Sequence, residues 1–191
     1  MNLLAQYVKN LVNISDENLN KFISLFSLTL IKKKDCLLEQ GNVCEFEGFI
    51  INGCFRLYTI DEKGNEHTLY FGIRNWWVTD LNSFLTKAPA KFTIQALEDS
   101  EVLLINKKDK IKAFQEIPEI EKMFRIMTQK SHVALEQRII RNISTTADQR
   151  YLEFITKYPQ IAERLTNIQI ASYLGISHEF LSKIRRKIVN N

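Results

Sequence analysis

Asn167-Ile168-Gln169-Ile170-Ala171-Ser172-Tyr173-Leu174-Gly175-Ile176-Ser177-His178-Glu179-Phe180-Leu181-Ser182-Lys183-Ile184-Arg185-Arg186 reads as two short helices joined by a tight turn. Ile170 and Leu174 lie four apart, on one face of the first helix. Ala171 is small where a second helix must cross closely. Gly175 supplies the left-handed residue that the turn requires. Ile176 plugs the turn, and Ser177 is a good N-cap for the next helix. Leu181 and Ile184 anchor that helix on the first. These spacings together define a helix-turn-helix. A helical hairpin with no nucleic-acid role is the alternative reading.

Charge gathers at the same end. Residues 161–191 hold five basic side chains and two acidic ones, a net +3, and the other 160 residues supply the remaining +1 of the total +4. A concentrated positive charge is the electrostatic footprint of a nucleic-acid face. With Ser177 opening the second helix, its outward residues are His178, Glu179, Ser182, Lys183, Arg185 and Arg186. Residues near the start of such a helix reach base edges in the major groove. Lys183 suits guanine O6 and N7, and Glu179 suits the cytosine N4 amine. Arg185 and Arg186 suit phosphates.

The chain has 191 residues, room for one domain or two small ones. With 45% hydrophobic and 25% charged residues, the composition is that of a globular protein, not a disordered one. The longest stretch without formal charge, 165–178, has 14 residues with His178 neutral. A bilayer span needs roughly 18 or more, so no membrane partner is expected. The first residues show no basic segment leading into a long apolar run. The expected location is therefore cytoplasmic.

Five of the six glycines (Gly41, Gly48, Gly53, Gly64 and Gly72) fall between 41 and 72. That punctuation predicts short strands. Asn52-Gly53 is a hairpin signal between Phe49-Ile50-Ile51 and Cys54–Ile60. Asp61-Glu62-Lys63-Gly64-Asn65 is a second turn. Phe92–Leu97 and Val102–Ile105 flank a third at Glu98-Asp99-Ser100. A β-sandwich or barrel follows. Ser15 caps a helix carrying Leu19, Phe22 and Ile23, and Asp80–Leu85 is another helical candidate. From Pro118, a long helix runs through Glu119–Arg141. Its Ile120, Phe124, Met127, Ser131 and Ala134 follow a 4-3-4-3 spacing, a stripe that suits a partner helix. An ordinary core helix in a monomer is the alternative. Asn142–Thr146 reads as a polar hinge, and a shorter helix, Ala147–Lys157, ends before Pro159.

Three cysteines, at 36, 44 and 54, are an odd number with no Cys-x-x-Cys spacing. They argue against a disulfide framework and a zinc site. Whether any of them is redox-active stays open. His67, His132 and His178 are too scattered for a metal motif, so no metal is expected. An enzyme on a β-roll of this kind needs clustered metal ligands, and His67 is the only histidine in the β block, so no enzymatic activity is expected.

This order of parts resembles the Crp/Fnr family of bacterial transcription regulators. Phe55-Arg56-Leu57-Tyr58 with Asp61–Glu66 looks like the family's central hairpin. Ala96–Val102 looks like its final roll strands, and Ile170–Ser177 like its helix-turn-helix. The resemblance implies an α+β fold. An antiparallel jelly-roll β-roll, like that of cyclic-nucleotide-binding domains, is flanked by helices over 1–116. A dimerisation helix spans 117–143, and a helix-turn-helix domain of winged-helix-like type spans 144–191. It implies a homodimer on a two-fold symmetric operator in double-stranded DNA, contact with the transcription machinery, and an effector pocket in the roll. The pocket segment is Trp77-Val78-Thr79-Asp80-Leu81, with Lys91 further on. Here the sequence departs from cyclic-nucleotide members. Thr79 stands for their glycine and Asp80 for their glutamate, and Ala90 takes the place of the arginine that neutralises the phosphate. No cofactor is expected, and the effector is expected to differ from cyclic AMP. A ligand-binding module acting through protein contacts rather than DNA is the competing reading.

Overall fold

The computed structural model describes residues 2–189. The chain opens with α1 (Asn2–Lys9) and α2 (Asp16–Ile23). Ser15 caps α2 as expected, its hydroxyl accepting the Asn18 N–H at 3.2 Å. Then come β1 (Ser27–Ile31), β2 (Cys36–Leu38), β3 (Phe46–Asn52), β4 (Cys54–Ile60), β5 (Glu66–Ile73) and β6 (Trp77–Val78). After α3 (Leu81–Thr86) follow β7 (Thr93–Ala96) and β8 (Ser100–Asn106). The strands form two four-stranded sheets of order β1-β8-β3-β6 and β2-β7-β4-β5. Every pairing is antiparallel. Ile50, Phe55, Leu57, Ile94 and Val102 are fully buried between the sheets.

The hairpin expected at Asn52-Gly53 does not form. β3 pairs with β8 and β6, whereas β4 pairs with β5 and β7. The chain instead crosses between sheets at Gly53, whose φ is +106°. The Glu98-Asp99-Ser100 turn crosses back beside it, from β7 to β8. The two crossings press together: a Cβ on Gly53 would lie 2.0 Å from Ser100 Oγ. Local turn signals mark a reversal of the chain but not which sheet it returns to. Asp61–Asn65, by contrast, closes a true hairpin, with Asp61 accepting the Lys63 and Asn65 N–H groups.

Helices cover the first sheet. α4 (Lys107–Glu116) and α5 (Pro118–Ser144) join α1 and α2 there. Leu4, Phe22, Phe49, Ile117, Ile120 and Met123 form the resulting core. The C-terminal unit is α6 (Ala147–Lys157), α7 (Pro159–Ala162), α8 (Asn167–Leu174) and α9 (His178–Val189). The hinge expected over Asn142–Thr146 is shorter than the sequence suggested. α5 continues through Ser144, and only Thr145 and Thr146 break it. Thr146 and Gln149 form a capping box that starts α6 at once. A winged-helix unit adds a small sheet. No strand follows Asn106 among the described residues, because 158–166 is spent on α7 and a short loop. No described helix is long and apolar enough to cross a membrane.

Gly53→Ala should lower stability by about 1–3 kcal/mol or more, from positive-φ strain alone, with the Ser100 clash added. Urea unfolding checks this. An unchanged midpoint would contradict the corner described above.

Candidate functional site

The helix-turn-helix is built by its turn. Gly175 is left-handed at φ +68°, and the Ile176 N–H reaches the Ala171 carbonyl at 3.1 Å. Ser177 Oγ accepts the Phe180 N–H at 3.2 Å and so caps α9. Ile170, Ala171, Leu174, Leu181 and Ile184 are all buried where α8 crosses α9. A second capping box, Thr166 with Gln169, opens α8.

Of the outward residues, Ser177, His178, Glu179, Lys183, Arg185 and Arg186 are exposed, and Ser182 is half-buried. Ser182 Oγ donates to the His178 carbonyl at 3.0 Å, so its hydroxyl is turned back on its own helix. Arg185 donates to Asn167 Oδ1, tying α9 to the start of α8. Lys187 pairs with Asp148 at 2.8 Å. The Glu179 carboxyl is held below its usual range by its own N–H and then by the Ser177 hydroxyl. Phe180 is exposed on the same helix. An aromatic residue in an amphipathic helix reads as core from sequence alone, so no local signal singles out Phe180.

The segment 77–91 is committed to the fold. Thr79 Oγ1 donates to the Phe46 carbonyl at 2.9 Å. Asp80 is 1% exposed, and its two oxygens accept the Ser83 N–H at 3.0 Å and the Lys91 N–H at 2.9 Å. The amides at this loop therefore already serve a carboxylate of the chain itself. Leu81 is exposed, Ala90 is buried, and the Lys91 side chain points to solvent. Trp77 stacks among Phe49, Phe124 and Tyr7, with ring centroids 5.3, 5.2 and 6.3 Å away.

The 4-3-4-3 stripe of α5 faces inward. Ile120 and Phe124 are buried in the protomer's own core and offer no partner surface. Their burial follows from the roll helices, since Phe22 and Phe114 flank Phe124 edge-on. Met127, Ser131 and Ala134 line a cavity of about 780 Å³ between the roll, α5 and the C-terminal unit. Trp76, Tyr70, Phe71 and Tyr158 form much of its wall, and Trp77, Thr79, Asp80 and Leu81 of the expected effector segment also line it, whereas Lys91 does not. Arg138 and Arg141 close one end. Arg138 lies over the Tyr173 ring at 4.3 Å and donates to the Tyr173 carbonyl at 3.2 Å. Burial, with Arg141 nearby, lowers its pKa. The same stripe carried two steps further, 134-138-141, would have found both arginines in the sequence.

The C-terminal unit docks on the roll of its own chain. Ser172 Oγ accepts the Thr68 N–H at 2.9 Å and donates to the Glu66 carbonyl at 2.8 Å. Phe71 of β5 stacks with Tyr173, and Trp76 meets Tyr158 edge-on. Arg164 pairs with Glu98 at 3.0 Å. No group of three or more His, Cys, Asp or Glu among the described residues could hold a metal ion. Burial pushes the Cys54 thiol up to about 12, so it is not a reactive thiolate at neutral pH.

Residues 28–116 match the cyclic nucleotide-binding domain family. No curated protein matches the chain by sequence. Similar solved structures include FixK2 from Bradyrhizobium japonicum, at TM-score 0.75 and 16% identity over 86% of this chain and 85% of that one. The c-di-GMP-responsive global regulator CLP of Xanthomonas campestris gives TM-score 0.75 and 14% identity over 92% of each chain. A putative Crp/Fnr-family regulator from Eubacterium rectale gives 0.72 and 16% over 91% of this chain and 83% of that one. The chain shares the fold of these transcription regulators.

Proposed function

We propose that this chain is a DNA-binding transcriptional regulator of the Crp/Fnr type, a cytoplasmic homodimer on a two-fold symmetric operator, and not an enzyme. The observation that carries the reading is the exposed basic face of α9, held on a fully packed and capped helix-turn-helix. Lys183, with Glu179, reads base edges, and Arg185 and Arg186 hold phosphates. For Arg185 this requires release from Asn167. The transcription machinery is the partner through which bound protein would act.

The dimer face lies on the side of α5 turned away from the roll. Val133, Ile139, Ile140 and Ile143 are 49%, 50%, 62% and 81% exposed there. Apolar side chains clustered on one helix face support association. Two copies paired along α5 would set two α9 helices for successive major grooves.

The effector is not a cyclic nucleotide. Its phosphate brings a permanent negative charge, which costs several kcal/mol to bury unpaired. Asp80 already occupies the local amides with a carboxylate, and Ala90 brings no cation.

Lys183→Ala should relax base preference and cost about 1–3 kcal/mol at its base pair. Arg186→Ala should weaken all sequences alike and reduce the salt slope by about one. Gel shifts over a salt series separate the two. Equal loss from both, with preference unchanged, would contradict the assignment.

Ile140→Glu with Ile143→Glu should give monomers by sedimentation, whereas the unaltered protein should sediment as a dimer at micromolar concentration. Titration calorimetry with cyclic AMP should show no dissociation constant below about 10 μM, or roughly −7 kcal/mol. Tighter binding would mean that the 77–91 loop rearranges around the phosphate.

A further inference from the structure

The large cavity has two unlike ends. Its body is apolar and aromatic, walled by Leu69, Phe71, Trp76 and Met127. At about 780 Å³ it has the size of a small-molecule site. At the other end, where α5, α6 and α8 meet, it opens onto a small recess lined by Arg138, Arg141, Arg150 and Lys157. One carboxylate, Glu153, faces these four cations, and it pairs with Arg141 at 3.4 Å. Arg138 and Arg150 donate only to backbone carbonyls: Arg138 to Thr68 and Tyr173, and Arg150 to Thr145 and Leu174. Arg150 Nε is buried with no hydrogen-bond partner at all.

A carbonyl satisfies an N–H but does not neutralise a guanidinium. Three arginines and a lysine around one glutamate leave positive charge uncompensated in a half-enclosed space. Such a cluster is completed by an anion, which guanidinium groups grip through paired hydrogen bonds. The apolar chamber beside it takes the rest of the molecule. We propose that this cavity binds an amphipathic anion, its apolar body against Trp76, Phe71 and Met127 and its carboxylate or phosphate head held by Arg138, Arg141 and Arg150.

The ligand would touch all three parts of the chain at once. Arg138 belongs to α5 and lies on Tyr173 of α8, while Phe71 belongs to the roll. A head group at the arginines would compete for the donors that now hold the Tyr173 carbonyl. The inference rests on reading this cavity as the effector site. Trp77, Thr79, Asp80 and Leu81 of the 77–91 segment belong to its wall, but the arginine recess that takes the head group contains none of them, and Asp80 has taken the amides there.

The two tryptophans of the chain, Trp76 and Trp77, both line the cavity, so intrinsic fluorescence reports its occupancy directly. The test titrates the full-length protein with dodecanoate, dodecyl phosphate and the neutral dodecanol, each below its micelle concentration. The expected result is saturable quenching or shift by the anions, at least about tenfold tighter than by dodecanol, the scale of one charge-assisted pair. The tighter of the two anions then identifies the head group as carboxylic acid or phosphate ester. Arg141→Gln should remove most of the preference for anions while dodecanol binding persists. Ala134→Phe, at an exposed position in the cavity wall, should weaken all three ligands. Equal binding of dodecanol and the anions, no saturable change with any of them, or an unchanged preference in Arg141→Gln would overturn the proposal. The assay contains no DNA. Gel shifts on the same sample therefore show separately whether the DNA-binding reading holds.

Discussion

One stripe down α5 joins the three parts of the molecule. At its start Ile120 and Phe124 are buried among the helices that cover the roll. In its middle Met127, Ser131 and Ala134 wall the cavity. At its end Arg138 and Arg141 meet the C-terminal unit. A helix with 3.6 residues per turn keeps all these positions on one side. The roll and the C-terminal unit are therefore not packed apart from each other. Both are packed against α5 as a common rod.

That arrangement links the candidate ligand site to the candidate DNA face through short, named contacts. Ser172 and Tyr173 belong to the first helix of the helix-turn-helix, yet their partners are Thr68, Phe71 and Arg138. The cavity wall thus touches α8 directly, and α8 packs on α9 through Ile170, Leu174, Leu181 and Ile184. One residue pair, Arg138 and Tyr173, joins the cavity wall to the first helix of the helix-turn-helix.

Much of this was legible in the sequence where the physics is local. Gly175, Ser177 and the spaced apolar residues give the helix-turn-helix, and the structure places each of them as expected. The Asp61–Asn65 hairpin and the helix over 147–157 are equally local. Asn52-Gly53 misled because the turn chemistry is real but the pairing partner is set by the whole sandwich. The stripe of α5 was found with its correct spacing, but spacing alone does not say which side a helix buries. Charged residues also hide a stripe: apolar and small residues mark it only as far as Ala134, although Arg138 and Arg141 continue it. Asp80 shows a third limit. The resemblance puts it in the effector pocket, and it does line the cavity, but the fold spends its carboxylate on the Ser83 and Lys91 amides.

The central claim is that a dimer of this chain reads a symmetric DNA sequence through α9. Sequencing the genomic fragments that the purified protein retains from its host's sheared DNA tests it most directly. The account predicts one enriched inverted repeat, with half-sites centred about one helical turn, or roughly 10–10.5 base pairs, apart or a multiple of it. Retained fragments with no shared motif, or a motif without two-fold symmetry, would contradict it.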